Sequence, residues 1–369
     1  MSLYLAPTAA AVSAAAATTT LPIRQLVAPP QSPSIDLRQL ERGMALPLPP
    51  ALPPPPLVSS ASNRHVGANK HKAVVVMGAT GTGKSRLAVD LALQFGGEVI
   101  NSDKIQLHAG LEVTTNKVTD AERAGVPHHL LGVARPDEEF TAADFRREAS
   151  RAACAITARG GLPIIAGGSN SYVEELVDGD RCAFRDRYDC CFLWVDVQRA
   201  VLHGYVARRV DEMCARGLVD EVAAAFDPRR TDYSRGVWRA IGAPELDAYL
   251  RWSSGDEDGD GERARLLAAA IEDIKSNTRR LSCRQRAKIQ RLANLWGCVR
   301  RVDATEVFRR RGDAADEAWQ RLVAAPCIDA VRSFLRDDDN TAAAAANDLP
   351  AAAEVVPVFA PAPAAAVAG

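Results

Sequence analysis

Eight residues fix most of what this chain can become. Gly78-Ala79-Thr80-Gly81-Thr82-Gly83-Lys84-Ser85 fit G-x-x-x-x-G-K-[ST], the loop that cradles phosphates. Before it runs Ala73-Val74-Val75-Val76-Met77, a short β-branched apolar stretch that predicts a buried strand. After it, Leu87, Leu91 and Phe95 recur at helical spacing beside Ala88 and Ala92, which predicts a helix starting near Lys84. The glycines let the backbone curl so that Gly78, Ala79, Thr80, Gly81, Thr82 and Gly83 turn their peptide groups to one anion at a helix N-terminus. Lys84 adds a point charge, and the Ser85 hydroxyl is suited to Mg²⁺. A strand, loop and helix in that order make a chance glycine turn a poor explanation. The motif predicts a bound di- or triphosphate and leaves the chemistry open.

Composition narrows the setting. A formal charge of -1 over 369 residues excludes a globally basic nucleic-acid binder, though not a local basic patch. No apolar run reaches eighteen residues, so no membrane span is expected. The eight cysteines, at 154, 182, 190, 191, 214, 283, 298 and 327, form no C-x-x-C pair and read as reduced thiols. Residues 1–70 hold twelve of the 22 prolines and no acid before Asp36, with abundant Ala, Ser and Thr. That composition predicts an organellar transit peptide and a Pro-rich linker, with a plastid address favoured over a mitochondrial or cytosolic one because arginines are few. Residues 337–369, beginning Asp337-Asp338-Asp339, read as a disordered Ala/Pro-rich tail. The acidic, Gly-rich stretch 253–261 reads as a loop.

Between these ends, Glu98-Val99-Ile100 predicts a strand running into Asn101-Ser102-Asp103-Lys104-Ile105-Gln106. A carboxylate at the end of a strand beside a phosphate loop stands where α/β sheets hold ligands, although Ser102 or Asp103 could equally cap a helix. The adjacent His128-His129 suit a structural or substrate-contact role better than a metal site. Residues 144–158 predict a helix. Leu162-Pro163-Ile164-Ile165-Ala166 predicts a buried strand ending in Gly167-Gly168-Ser169-Asn170-Ser171-Tyr172, where small and polar groups permit close approach to a ligand. Phe192–Val197 predicts another strand. Leu202, Val206, Val210 and Met213 predict a helix that carries Arg208 and Arg209. A long helix is expected from about Leu267 to Trp296, with Ile271, Ile274, Leu281, Ile289 and Leu292 buried. Its opposite face, from Lys275 through Arg279, Arg280, Arg284, Arg286 and Lys288 to Arg291, is either a solvated stripe or an anion-binding surface.

Asn101–Gln106, added to the phosphate loop, resembles plant adenylate isopentenyltransferases, the cytokinin synthases. Further matching blocks are Thr114–Lys117, Gly125–Gly132, Ala166–Tyr172, Gly217–Val222, Arg239–Gly242 and Arg301–Phe308, in the family's order over residues 72 to 336. The resemblance implies a P-loop NTPase-like α/β fold over 71–336, a parallel sheet flanked by helices with a smaller helical subdomain at about 199–261. It also implies transfer of a dimethylallyl group from dimethylallyl diphosphate to the N6 amine of an adenine nucleotide, with Mg²⁺ and without a tRNA, membrane or protein partner. Asp103 would be the general base. Thr80 would meet the bridging oxygen of the donor and Arg209 would assist the leaving diphosphate. Ser102, Lys104, Gln106, Gly168, Ser169, Asn170 and Lys275 are expected at the acceptor nucleotide, with Arg279 and Arg280 joining Lys275 at its outer phosphates. ATP and ADP are expected to be preferred over AMP. One departure is Trp238, standing where a basic residue is expected before Arg239. The alternatives are the tRNA-modifying sister enzyme, a P-loop small-molecule kinase and a non-enzymatic nucleotide binder. Eukaryotic members of the first tend to carry a C-terminal zinc finger, and this chain has no histidine after His203.

Overall fold

In the computed structural model the described residues are 70–252 and 259–347. The transit-peptide reading of 1–70 therefore lies outside them but for the last residue, as does most of the 253–261 loop. In chain order the elements are β1 (His71–Gly78), α1 (Lys84–Phe95), β2 (Gly97–Asn101), α2 (Asp120–Arg123), β3 (His128–His129), α3 (Ala142–Ala158), β4 (Leu162–Gly167), α4 (Asn170–Asp178), α5 (Ala183–Arg187) and β5 (Tyr188–Asp196). There follow α6 (Arg199–Ala215), α7 (Leu218–Ala224), a 3₁₀ turn (Gly236–Arg239), α8 (Asp247–Arg251), α9 (Gly259–Trp296), β6 (Val299–Asp303), α10 (Thr305–Arg309), α11 (Asp313–Trp319) and α12 (Ala325–Asn347).

The six strands form one parallel sheet in the order β3-β2-β4-β1-β5-β6. β1 lies inside it because Ala73–Met77 is apolar on both faces, as a doubly covered parallel strand must be. Its alternation divides the core. Val74 and Val76 pack with Leu87 and Leu91 of α1, Val206 of α6 and Trp319 of α11. Val75 and Met77 pack on the other face with Phe145 of α3, Tyr172 of α4 and Ile289 of α9.

A third cluster gathers Val210, Met213, Leu218, Val222, Trp238 and Leu246 with Leu111 before it and Ala270 and Ile274 after it. This is the helical subdomain, and its limits differ from 199–261. The first half of α6 belongs to the main core through Leu202 and Val206, while the start of α9 belongs to the subdomain. Long helices cross the boundary, so no break in the sequence marks it.

One other boundary moves. α12 continues to Asn347, past the expected tail start at 337, as suits the alanine run 342–346. β6, with the pattern Val-Arg-Arg-Val-Asp, is an edge strand with little apolar signal. His128 and His129 form the two-residue edge β3, and His129 Nε2 lies 2.6 Å from Glu98 Oε2. Among the described residues no helix is long and apolar enough to cross a membrane.

Candidate active site

The phosphate loop is held from behind and from the side. Gly81 and Gly83 have φ of 81° and 86°, a region that disfavours residues with a Cβ. Space forbids a side chain as well: a Cβ on Gly83 would lie 2.6 Å from the Trp319 ring, and one on Gly81 2.8 Å from Val206. The Thr82 hydroxyl donates to Ala79 O at 3.0 Å, so it braces the loop from within. Lys84 Nζ donates to the same carbonyl at 3.4 Å. Burial pulls the Lys84 ammonium down to about 8; Asp103 opposes this and Arg209 adds to it. Arg209, itself lowered by burial, reaches Thr80 Oγ1 with Nη2 at 3.5 Å. Thr80, Lys84, Asp103 and Arg209 therefore converge from four separate elements. Ser85 is exposed in the first turn of α1.

Asp103 is set by the turn after β2. Asn101 Oδ1 accepts from Asp103 N at 3.1 Å, and Asn101 Nδ2 donates to Leu130 O at 2.8 Å. Asp103 Oδ1 accepts from Ile105 N at 3.0 Å, the local bond that a turn-forming aspartate makes. Its Oδ2 faces Gly168, where a Cβ would lie 3.1 Å away. The glycine turn after β4 thus touches the carboxylate directly. Lys104 N donates to Ser169 Oγ at 2.9 Å, and Ser169 N donates to Ser102 O at 3.2 Å, which closes the two turns on each other.

Three residues expected at the nucleotide are held by other parts of the protein. Ser102 is fully buried against Gly167, where a Cβ would lie 2.5 Å from its Oγ, so it spaces two strand ends. Gln106 Nε2 donates to Thr115 O and Asn116 O at 3.2 and 3.0 Å and fastens the 114–117 loop. Lys275 pairs with Asp211 at 2.7 Å and Glu272 at 2.9 Å in the subdomain. Ten residues of helix, ~15 Å at 1.5 Å per residue, separate Lys275 from the turn of α9 that reaches the loop.

That turn carries Gln285, which sequence reasoning missed. Its Oε1 accepts from Thr80 N at 2.7 Å, its Nε2 donates to Gly168 O at 2.9 Å, and its carbonyl accepts from Asn170 Nδ2 at 3.3 Å. Arg284 and Lys288 flank it, and with Arg239 they crowd the Lys104 ammonium, which burial first and then these charges lower. Lys104, Tyr172, Arg235 and Arg239 line one small cleft, where burial pushes the Tyr172 phenol up to about 12. The basic stripe of α9 held the signal for Arg284 and Lys288, but not which of its turns meets the sheet. Trp238 does not face this cleft: it is buried in the subdomain core, donates Nε1 to Asp137 Oδ1 at 2.7 Å and stacks under Arg230. The cations Lys84, Lys104, Arg209, Arg235, Arg239, Arg284 and Lys288 outnumber Asp103 and the cleft-lining Glu138 and Glu139, an excess that suits a ligand with several negative charges.

A family model described as IPP transferase matches residues 106–185 and 180–291. Adenylate isopentenyltransferase 5, chloroplastic, of Arabidopsis thaliana is 57% identical over 282 residues, 76% of this chain and 85% of that one. Adenylate isopentenyltransferase 7, mitochondrial, of the same plant is 50% identical over 73% of this chain and 82% of its own. The adenylate isopentenyltransferase of Humulus lupulus is 43% identical over 70% and 89%. Among solved structures, a eukaryotic dimethylallyltransferase acting on tRNA superposes with a TM-score of 0.60 at 23% identity, covering 73% of this chain and 80% of that one, and shares the fold. The tRNA isopentenylpyrophosphate transferase of Bacillus halodurans gives 0.57 at 26%, covering 73% and 100%. With a P-loop sheet, an aspartate beside the loop and relatives this similar over most of their length, the chain belongs to the adenylate isopentenyltransferases of the IPP transferase family.

Proposed function

We propose that the chain transfers the dimethylallyl group of dimethylallyl diphosphate to the N6 amine of ADP or ATP, and less readily AMP, the first step of cytokinin synthesis. The observation that carries this is the position of Asp103, whose Oδ2 faces the Gly168 turn that Gln285 ties to Thr80 of the phosphate loop. An exocyclic amine is a weak nucleophile and must lose a proton as it attacks the allylic carbon. Asp103 accepts it, a contribution of typically ~10²–10⁴-fold.

Diphosphate leaves with growing negative charge. Lys84, Arg209, the Thr80 hydroxyl and the loop amides other than that of Thr80, which Gln285 holds, would stabilise that charge. The exposed Ser85 hydroxyl at the start of α1 suits Mg²⁺, a cation that takes few protein ligands and completes its shell with phosphate oxygens and water. When bound it would neutralise diphosphate charge. Ser169, Asn170 and Gly168 form the turn against which the adenine would lie. Lys104, Arg239, Arg284 and Lys288 are the groups we assign to the outer phosphates of ADP and ATP, in place of Lys275. Residues 1–70 would direct the chain to plastids, an address that relatives' names also carry.

The test is to incubate the protein with labelled dimethylallyl diphosphate and, in parallel, AMP, ADP, ATP and an unmodified tRNA. Label on the adenine of ADP and ATP supports the reading. Label on tRNA makes the chain a tRNA-modifying enzyme, and phosphate appearing on another acceptor makes it a kinase. Cytosolic fluorescence from a full-length fusion sinks the plastid address.

A further inference from the structure

Gln285 joins the two halves of the site with a single side-chain amide. One end accepts the Thr80 N–H of the phosphate loop at 2.7 Å, and the other donates a hydrogen bond to the Gly168 carbonyl at 2.9 Å. We infer that Gln285 is a positioning residue that sets the spacing between the donor's phosphate loop and the base Asp103; this rests on the function proposed above.

Three features argue for more than a packing contact. First, Thr80 and Gly168 follow different strands, β1 and β4, and each lies beside a group of the proposed reaction: Thr80 beside Arg209, Gly168 beside Asp103. Second, the amide is anchored on both sides. Its own carbonyl receives Asn170 Nδ2, and the next residue, Arg286, makes a two-pronged bond to Asp196 at the end of β5. Ile289, one turn on, is fully buried. Rotation of the side chain therefore moves against fixed neighbours. Third, the chemistry demands an amide of this length. Glutamate could keep the Thr80 bond but cannot donate to Gly168. Asparagine is one methylene too short to span both partners, and leucine makes neither bond.

The geometry also makes the residue electrostatically visible. A Cβ on Gly168 would lie 2.6 Å from Gln285 Nε2 and 3.1 Å from Asp103 Oδ2, so both atoms border one point. A carboxylate at 285 would stand beside Asp103. The groups already facing Asp103 are Lys84 from α1, Arg209 from α6, Lys104 from its own turn and Tyr172 from α4. Against them a second negative charge disfavours the ionised form.

The experiment uses the full chain with Gln285→Leu, Gln285→Asn and Gln285→Glu, each followed by thermal melting and by transfer kinetics against pH. Gln285→Leu is expected to lose about 10²-fold in kcat, the cost of a misplacement on the order of 1 Å, with KM for ADP within about threefold and the melting point close to wild type. Gln285→Asn should fall in the same range. Gln285→Glu should move the acid limb of the kcat profile up by about one pH unit, which lost packing alone does not do. A wild-type limb in Gln285→Glu together with near-normal kcat in Gln285→Leu overturns the role and leaves the proposed function standing. If Gln285→Leu fails to fold, the limb of the near-isosteric Gln285→Glu decides. Wild-type protein that transfers no prenyl group removes both the function and the role.

Discussion

Of the aspartates at or just past the C-terminal ends of strands in this sheet, Asp196 and Asp103 have opposite fates. Asp196 closes β5, the immediate neighbour of β1. It is 2% exposed and saturated: Arg286 binds both its oxygens at 2.9 Å, and Arg301 adds bonds of 2.9 and 2.6 Å. Asp103 follows β2, on the other side of β1 with β4 between, yet it faces the phosphate loop. One of its oxygens holds Ile105 N; the other looks onto a glycine. A strand end beside a nucleotide loop is thus not enough to make a base. What matters is whether the hydrogen bonds of the carboxylate are already committed. Asp196 serves as a rivet for α9 and β6, and Asp103 keeps one oxygen toward the glycine turn for the proton we propose it accepts.

The largest effect expected from this contrast is on turnover. Asp103→Ala should lower kcat by about two to four orders of magnitude while leaving the melting point near wild type. Full turnover in that variant removes Asp103 from the mechanism. Asp196→Ala should act chiefly on stability. It leaves the partly exposed Arg286 and Arg301 beside Trp194 without their carboxylate and should cost about 1.5–3 kcal/mol in denaturant unfolding, with a smaller fall in turnover than Asp103→Ala because Arg286 also helps to anchor Gln285. If Asp196→Ala stays stable, the rivet is no rivet and the distinction collapses.

Lys84 sharpens the comparison from the cationic side. Its folded value, about 8, lies below the ordinary lysine value of 10.5, so the unfolded chain holds the proton more tightly. Burying the charge therefore costs stability below pH 8, and this cost fades between pH 8 and 10.5. Lys84→Met should gain about 1–3 kcal/mol at pH 7, and less at pH 10, while losing affinity for pyrophosphate. In the wild type that affinity should weaken as pH rises through about 8. Unfolding curves at both pH values and calorimetric titration with pyrophosphate check both signs. A pyrophosphate affinity flat across pH 7–9.5 argues against a titrating Lys84.

The smallest effect concerns nucleotide choice. Arg284→Ala and Lys288→Ala should each lower kcat/KM for ATP by about tenfold and barely move AMP, since a charge-assisted phosphate bond contributes ~1.5–3 kcal/mol. Lys275→Ala should leave the ATP to AMP ratio unchanged, because its ammonium is spent on Asp211 and Glu272. A lower ratio for Lys275→Ala alone would return the phosphate site to the subdomain.

What could be read from the sequence was what the chain encodes locally. The phosphate loop, its strand and its helix lie between His71 and Phe95, and Asp103 follows a strand at a recognisable place. Gln285 gives no such sign, because its partners, Thr80 and Gly168, lie 205 and 117 residues away. Periodicity identified the buried stripe of α9 but not how far along the helix the sheet begins, so Lys275 was set where Arg284 and Lys288 stand. Ser102 and Gln106 fell into the site by adjacency to Asp103, and only packing shows one turned into the core and the other onto a loop. Trp238 looked like a defect in a phosphate contact, whereas its side chain belongs to a different core.

The seat of Gly83 against Trp319 reaches into how the chain is made. The Trp319 indole donates to Asp90 Oδ2 at 2.7 Å across 229 residues, and its ring fills the space behind the phosphate loop. On the ribosome, the loop emerges long before the residue that backs it. At ~5–20 residues per second, roughly 10 to 45 seconds separate the two. During that interval β1 also lacks β4 and then β5, so an early apolar strand waits without neighbours. A nascent chain interrupted before residue 319 would carry every residue of the phosphate loop and still be without the wall behind it.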